Sequence, residues 1–168
     1  MNNVFGNINK SHRNTFNHNN FFILLASFLI PMTLLGCVLF WLKIVPFGTN
    51  SLLACDANNQ YITYMSYLKS MSESHNLFYS FSKSMGGDML SLFAYYLASP
   101  VNFLLFFFEY DKLPMAFTLI FWIKVGLAGL TFNILLNKSH RTRWESVIFS
   151  TAYGMMGYMV TYFYSVMW

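Results

Sequence analysis

The sequence predicts an all-α membrane protein, a polytopic helical bundle whose outer loop carries amphipathic or interfacial helices. Of the 168 residues, 56% are hydrophobic and only 10% are charged, whereas a soluble domain carries about 25% charged residues. Phe21–Leu42 and Met115–Leu136 each exceed the roughly 20 apolar residues that cross a bilayer core. Both are therefore predicted to be transmembrane helices. The lipid bilayer is the first expected partner. No block of like charge indicates a nucleic-acid partner.

The positions of the basic residues predict the topology. Residues 1–20 form a basic tail, and the 137–144 loop contains three Lys and Arg residues. Short loops rich in Lys and Arg stay in the cytoplasm, so an even number of crossings must separate these two segments. The loop 43–114 is therefore predicted to be extracytoplasmic. Residues 145–168 are predicted to form a further transmembrane helix.

Phe93–Phe108 is apolar but short for a span, and Pro100 interrupts it. Because the charge pattern allows only two crossings before the 137–144 loop, this segment is predicted to be re-entrant or interfacial. Near the first span, Leu34-Leu35-Gly36-Cys37 has the form of a lipoprotein cleavage box. The apolar run continues to Leu42, whereas a signal peptide ends its apolar region at the cleavage site. A transmembrane helix is therefore favoured over lipoprotein processing.

The outer loop contains a polar stretch, Asp56 to Asn102, between the apolar segments. Its first part, Asp56–Met71, is predicted to be an amphipathic helix, because five apolar residues recur at helical spacing. These residues are Tyr61, Tyr64, Met65, Leu68 and Met71. Asp56 and Gln60 are four residues apart and are expected to share a face. Asp88 follows the pair Gly86-Gly87, which indicates a turn.

The ordered set Asp56-x-x-x-Gln60-Tyr61, Gly86-Gly87, Tyr95–Asn102 and Lys124–Gly129 resembles the amino-terminal part of the bacterial YfhO family over residues 20–168. The resemblance implies a multi-pass enzyme of the bacterial cell membrane with a GT-C-like fold. Such a glycosyltransferase would move a sugar from a polyprenyl-phosphate donor to a cell-surface polymer such as lipoteichoic acid. Family members are several times longer, so the chain is expected to be an amino-terminal fragment that is inactive alone.

The resemblance assigns the catalytic carboxylate of the first outer loop to Asp56. It would act as a general base or hold a divalent cation, and the cofactor stays unidentified. The alternative is a helix N-cap, for which Asp is favoured. Gln60, Tyr61, Asp88 and Lys124 are the predicted substrate-binding residues. For Gln60 the alternative is a solvated helix position, and for Asp88 a turn or cap. For Lys124, whose charge is expensive inside a bilayer, the alternative is a structural ion pair.

Other residues have weaker indications. Tyr95 and Tyr96 would stack on a sugar or lie at the headgroup level, where tyrosine is enriched. His75 is predicted to be a solvated loop residue. The candidate lysines for the donor phosphate are Lys43, Lys69 and Lys83.

Two other functions stay open. A transporter or flippase subunit would explain Lys124 and the broken segment, and a non-catalytic membrane anchor is compatible with the spans. The polar stretch from Asp56 favours the enzyme. The sequence leaves the sugar, the acceptor and the oligomeric state open.

Overall fold

The computed structural model describes residues 18–74, 78–81, 86–139 and 144–162, and this part of the chain is mostly helical. Its α-helices are α1 (His18–Trp41), α2 (Ile62–Ser74), α3 (Leu90–Leu92), α4 (Leu113–Ser139), α5 (Glu145–Gly154) and α6 (Gly157–Thr161). Ala57–Tyr61 and Phe93–Leu97 are π-helical and are called the first and second π-turns. Two 3-10 helices cover Pro100–Phe107 and Tyr110–Lys112. A short antiparallel hairpin pairs β1 (Tyr79–Ser80) with β2 (Gly87–Asp88).

Helices α1 and α4 agree with the two apolar segments of the sequence. Within the described ranges, two single helices are long and apolar enough to cross a membrane, over Asn20–Trp41 and Tyr110–Lys138. A third candidate exists only if Leu90–Leu97 and Pro100–Phe107 together make one span. Helix α1 continues through Cys37 to Trp41, with Pro31 inside it. The structure therefore supports a membrane protein with two continuous apolar helices in this part of the chain.

Glycines bring α1 and α4 into close contact. A Cβ added at Gly36 would lie 2.7 Å from the Trp122 ring, and one added at Gly129 would lie 2.5 Å from the carbonyl oxygen of Ser27. The Trp122 Nε1 group also donates a hydrogen bond of 2.7 Å to the carbonyl of Met32. Small residues allow such close approach between membrane helices. Contacts move back along α4 as they move forward along α1, so the two helices are antiparallel.

Helix α5 packs antiparallel to α4 and ends early. The Asn133 Nδ2 group donates to Ser146 Oγ at 2.9 Å near the start of α5. At its end, a Cβ added at Gly154 would lie 3.1 Å from the carbonyl oxygen of Val125. At 1.5 Å per residue, the ten residues of α5 cover about 15 Å, roughly half of a bilayer core.

The single helix expected over residues 145–168 is interrupted in the described part of the chain. Helix α5 ends at Gly154, and Met156 has an extended backbone with ψ 151° before α6 begins. Glycine is a poor helix former, and Gly154 and Gly157 flank the break. Gly154 also lies against the α4 backbone. Residues 163–168 lie outside the described residues, so the prediction for the end of this segment is not tested.

The chain between α1 and α4 is called the outer segment, after its predicted position. It packs on the first turns of α4 through one buried apolar cluster. It unites both π-turns, α2, α3 and the longer 3-10 helix. Its buried members are Ala57, Tyr61, Met65, Leu68, Met89, Leu92, Leu97, Leu105, Leu113, Ala116, Phe117 and Ile120. A second cluster joins Leu35 and Leu39 of α1 to Phe121 and Val125 of α4. The end of α1, the start of α4 and the outer segment therefore occupy the same end of the molecule.

The outer segment contains a sharp bend. The axes of Leu90–Leu97 and Pro100–Phe107 differ by 100°. Ser99 is extended, with φ −66° and ψ 129°, and Pro100 occupies the first turn of the following 3-10 helix. A residue before proline is pushed towards extended conformations, and proline is well suited to the start of a helix. The position of the bend agrees with the interruption at Pro100 in the sequence.

Candidate functional site

Asp56 is exposed at the start of the first π-turn. Its backbone is helical, with φ −64° and ψ −26°, and its side chain makes no capping hydrogen bond. The preceding residue, Cys55, has φ +48°, a left-handed conformation that is uncommon for a residue other than glycine. Its carbonyl accepts hydrogen bonds from the backbone N–H groups of Asn58 and Asn59 at 3.2 and 3.3 Å. This turn presents the Asp56 carboxylate to the surface, and the structure does not use it as an N-cap.

The first π-turn changes the spacing after Asp56. A π-helix has hydrogen bonds from i to i+5, is rare, and occurs frequently at functional sites. The prediction that Asp56 and Gln60 share a face was made for an α-helix, and it stays a prediction in this wider turn. Both side chains are nevertheless exposed. Tyr61, at the end of the turn, is buried, with 7% of its surface exposed. It therefore belongs to the apolar core as well as to the turn that begins at Asp56.

Four tyrosines from the two π-turns and α2 form one aromatic cluster, the tyrosine cluster. Tyr96 lies at its centre, with ring centroids 5.7 Å from Tyr61, 5.1 Å from Tyr64 and 4.8 Å from Tyr95. Tilted and edge-to-face arrangements at these distances stabilise aromatic pairs. Tyr95 keeps 60% of its surface exposed. The cluster thus joins the two π-turns, and the Tyr95 ring is its most exposed member.

Asp56 acts electrostatically on this cluster. Burial raises the pKa of the Tyr96 hydroxyl above its usual value, and Tyr64, Tyr95 and the Asp56 carboxylate raise it further. A phenol with a raised pKa is neutral at pH 7, because tyrosine ordinarily titrates near pH 10. The Tyr96 hydroxyl therefore keeps its proton at pH 7 and can donate a hydrogen bond.

The structure gives Asp88 a capping role. Its carboxylate accepts hydrogen bonds from the backbone N–H groups of Leu90 at 3.0 Å and Ser91 at 3.1 Å. The Ser91 hydroxyl also donates to it. Carboxylates that accept such bonds stabilise the first turn of a helix, here α3. The capping alternative therefore describes the hydrogen bonds of Asp88, and its role in substrate binding stays a prediction.

The described candidate lysines lie in different parts of the chain. Lys69 donates a hydrogen bond to the carbonyl of Phe108, and its Nζ lies 4.7 Å from the centre of the Tyr110 ring, a cation–π contact. Lys43 is exposed and has φ +52°. Lys124 is half-buried within α4, inside the apolar span. His75 and Lys83 lie outside the described residues.

Sequence reasoning assigned no role to Asn102. The residue is 3% exposed, and its Nδ2 group donates to the carbonyl of Leu97 at 3.2 Å. Its Oδ1 atom is buried and has no hydrogen-bond partner among the described residues. Buried polar atoms nearly always have such partners. The signal in the sequence that could have identified Asn102 is a polar amide within the apolar run 101–108.

Within residues 18–74, 78–81, 86–139 and 144–162, no three side chains of His, Cys, Asp or Glu lie close enough together to hold a metal ion. The chemistry that the described site offers is that of the exposed Asp56 carboxylate, the neutral phenols of the tyrosine cluster and the exposed ring of Tyr95.

The chain belongs to the family described as bacterial membrane protein YfhO, whose model matches residues 27–168. The matched region contains α1 from residue 27 onwards and all the later elements up to α6. No curated protein and no solved structure matched the chain.

Proposed function

We propose that this YfhO-family chain carries the active-site carboxylate of a multi-pass glycosyltransferase of the bacterial cell membrane. The donor is a polyprenyl-phosphate sugar, and the acceptor is a hydroxyl of a cell-surface polymer such as lipoteichoic acid. One observation carries the proposal: the Asp56 carboxylate is exposed and makes no capping hydrogen bond, at the start of the π-turn that ends at Tyr61 of the tyrosine cluster.

The geometry supports a division of roles in this reaction. The bond between the sugar anomeric carbon and the donor phosphate breaks, and a bond from that carbon to the acceptor oxygen forms. Asp56 takes the acceptor hydroxyl proton, as a positioned base does. Tyr96, kept neutral, donates a hydrogen bond to a substrate oxygen, and the exposed Tyr95 ring lies against the sugar. Gln60, exposed on the same turn, contacts a sugar hydroxyl.

The position of the site at one end of the helical frame supports a lipid-linked donor. The end of α1 and the start of α4 lie at the same end as the outer segment, and both helices are apolar enough to cross a bilayer. In this proposal Asp56 lies near the level at which these helices leave the apolar layer. The phosphate and sugar of a lipid-linked donor lie at this level, while its isoprenoid chain stays in the bilayer.

Asp56→Asn in the chromosomal gene tests the proposal. Asparagine keeps the size of the side chain and caps helices about as well as aspartate, but it is not a base. Transfer of labelled sugar to the surface polymer should fall by roughly 10²–10⁴-fold, the usual contribution of a positioned base, while the amount of protein in the membrane is unchanged. Asp111→Asn is the matched control, because Asp111 is an exposed carboxylate in the shorter 3-10 helix.

Normal transfer with Asn at position 56 would end the catalytic role of Asp56. The transporter alternative would then gain support from Lys124, half-buried in a span, and from the 100° bend. In that case Lys124→Leu should stop substrate movement without changing the amount of protein in the membrane. If Asp56→Asn and Asp111→Asn lower transfer equally, the carboxylates act through surface charge and the proposal fails.

A further inference from the structure

The longer 3-10 helix exposes phenylalanine side chains and buries its amide. A 3-10 helix has three residues per turn, so side chains three residues apart lie along one edge. Asn102 and Leu105 form a buried edge, whereas Phe103 and Phe106 form an exposed one. Phe107, on the third edge, is 85% exposed. The three exposed rings are called the phenylalanine face. A helix at the surface of a soluble protein has the opposite pattern, with its polar side chains outside, so this face is suited to an apolar environment.

The phenylalanine face lies beside the start of an apolar span. The longer 3-10 helix packs against α4, and its Leu105 belongs to the same buried cluster as Phe117 and Ile120. Both of these residues lie inside the apolar helix Tyr110–Lys138. The 3-10 helix is therefore alongside the first turns of α4 and not beyond its end. At this depth the exposed sides of a membrane-spanning helix meet lipid, and the phenylalanine face is the exposed side of the helix next to it.

The bent segment that carries this face is too short to cross a bilayer. Its two arms, Leu90–Leu97 and Pro100–Phe107, have eight residues each and differ in direction by 100°. At about 1.5 and 2.0 Å per residue, their far ends are roughly 20 Å apart, whereas a bilayer core is about 30 Å thick. Residues 89–108 contain no charge, and the exposed residues 109–112 contain three charged side chains. This combination fits a segment that enters the edge of the apolar layer and leaves it on the same side.

We propose that the phenylalanine face lies in the outer leaflet of the bilayer, at the boundary between headgroups and acyl chains. Interfacial helices bury their apolar faces about 5–10 Å into this boundary, which matches a helix held against the first turns of α4. The face is covered by lipid and not by a second copy of the chain, because it continues the exposed apolar surface of a span. This selects the interfacial alternative over the re-entrant one, and it does not rest on a catalytic role for Asp56. It also sets the level of the bend, and with it that of Tyr95 and Tyr96, at the headgroups.

Spin labels on single cysteines measure the depth of this face in the purified full chain, in nanodiscs of phosphatidylethanolamine and phosphatidylglycerol. Cys37 and Cys55, which are both free, are first replaced by serine. Collision rates of each label with oxygen, which concentrates among acyl chains, and with a water-soluble nickel chelate give its depth. Labels at Phe103→Cys and Phe107→Cys should collide mainly with oxygen and lie about 5–10 Å inside the boundary.

Two further labels bracket this depth. Leu29→Cys is near the middle of α1, at an exposed position, and its label should be the deepest. Asn59→Cys is at an exposed position in the first π-turn, and its label should collide mainly with the chelate.

Three results would overturn the inference. Labels at the two phenylalanine positions that collide with the chelate as the Asn59→Cys label does would place the face in water. Labels as deep as that of Leu29→Cys would make the segment re-entrant. Labels that meet neither reagent would show a protein cover, and dipolar broadening between chains would identify it as a second copy. If one phenylalanine variant does not fold, as judged by circular dichroism, the other decides alone. The depths should be unchanged in the Asp56→Asn protein, so failure of the catalytic proposal would leave this inference standing.

Discussion

Among the glycines of α1, α4 and α5, Gly129 leaves the least room for a side chain. A Cβ added there would lie 2.5 Å from the carbonyl oxygen of Ser27, 3.0 Å from Pro31 Cγ and 3.4 Å from the carbonyl oxygen of Ser150. Two of these atoms are backbone, so neither can turn away by a rotamer change. Gly129→Ala therefore requires α1 to move away from α4.

The expected effect on stability is the difference between two terms. Overpacking of a tight interior costs about 1–3 kcal/mol, whereas replacing glycine by alanine inside a helix gains roughly 0.5–1 kcal/mol. The net loss for Gly129→Ala should be about 1–2 kcal/mol. Since 1 kcal/mol shifts the Tm of a chain of this size by about 2–4 °C, the Tm should fall by roughly 2–8 °C.

Thermal unfolding of the purified protein in detergent, followed by circular dichroism, measures this change. Gly157→Ala is the matched control, because no atom lies within 4 Å of a Cβ added at Gly157. Its Tm should stay constant or rise slightly, since only the helix-propensity gain applies. A Tm for Gly129→Ala at or above that of the wild type would show that α1 and α4 are not in this close contact.

Two further predictions concern the topology and the link between α4 and α5. In a variant without its native cysteines, Ser72→Cys should react with an impermeant maleimide in intact cells, and Ser139→Cys should react only after permeabilisation. Reaction of both in intact cells would contradict the predicted orientation. Asn133→Leu should lower the free energy of unfolding by roughly 0.5–2 kcal/mol, because Asn133 bonds to Ser146 and accepts from Asn137 at 2.8 Å. Thr131→Val, which removes a hydroxyl bonded within its own helix, should change stability little.

The long helices were predictable because a membrane span depends on the average hydropathy of a segment and not on particular contacts. A run of apolar residues without charge identifies a span wherever its side chains finally pack. Helix α1 (His18–Trp41) and α4 (Leu113–Ser139) each lie within a few residues of the predicted segments. The break after Gly154 was not predictable in this way. It depends on how closely one glycine approaches the backbone of α4, which is a property of the packed structure.

The sequence predicted local features of the site, but not which distant residues meet in it. Four of the five residues of the apolar stripe predicted after Asp56 are buried, namely Tyr61, Met65, Leu68 and Met71. The fifth, Tyr64, is half-buried. A periodic pattern cannot show that the stripe begins with a π-turn, because the extra residue per turn is accommodated by tertiary contacts. The meeting of Tyr61 with Tyr96 depends on the fold of the residues between them. No role was predicted for Asn102, because the role of a single amide depends on the residues that surround it in the fold.

The arrangement around Asp56 depends on contacts that hold the bent segment against α2. Lys69 on α2 donates to the carbonyl of Phe108, after the 3-10 helix, while Tyr64 holds Tyr96 on the other side of the bend. Asn102 bonds to Leu97 across the bend itself. These three links fix both arms of the bend relative to α2, which continues directly from the π-turn beside Asp56. The meeting of Tyr96 with Tyr61 and Tyr64, near the start of α2, therefore depends on the bend.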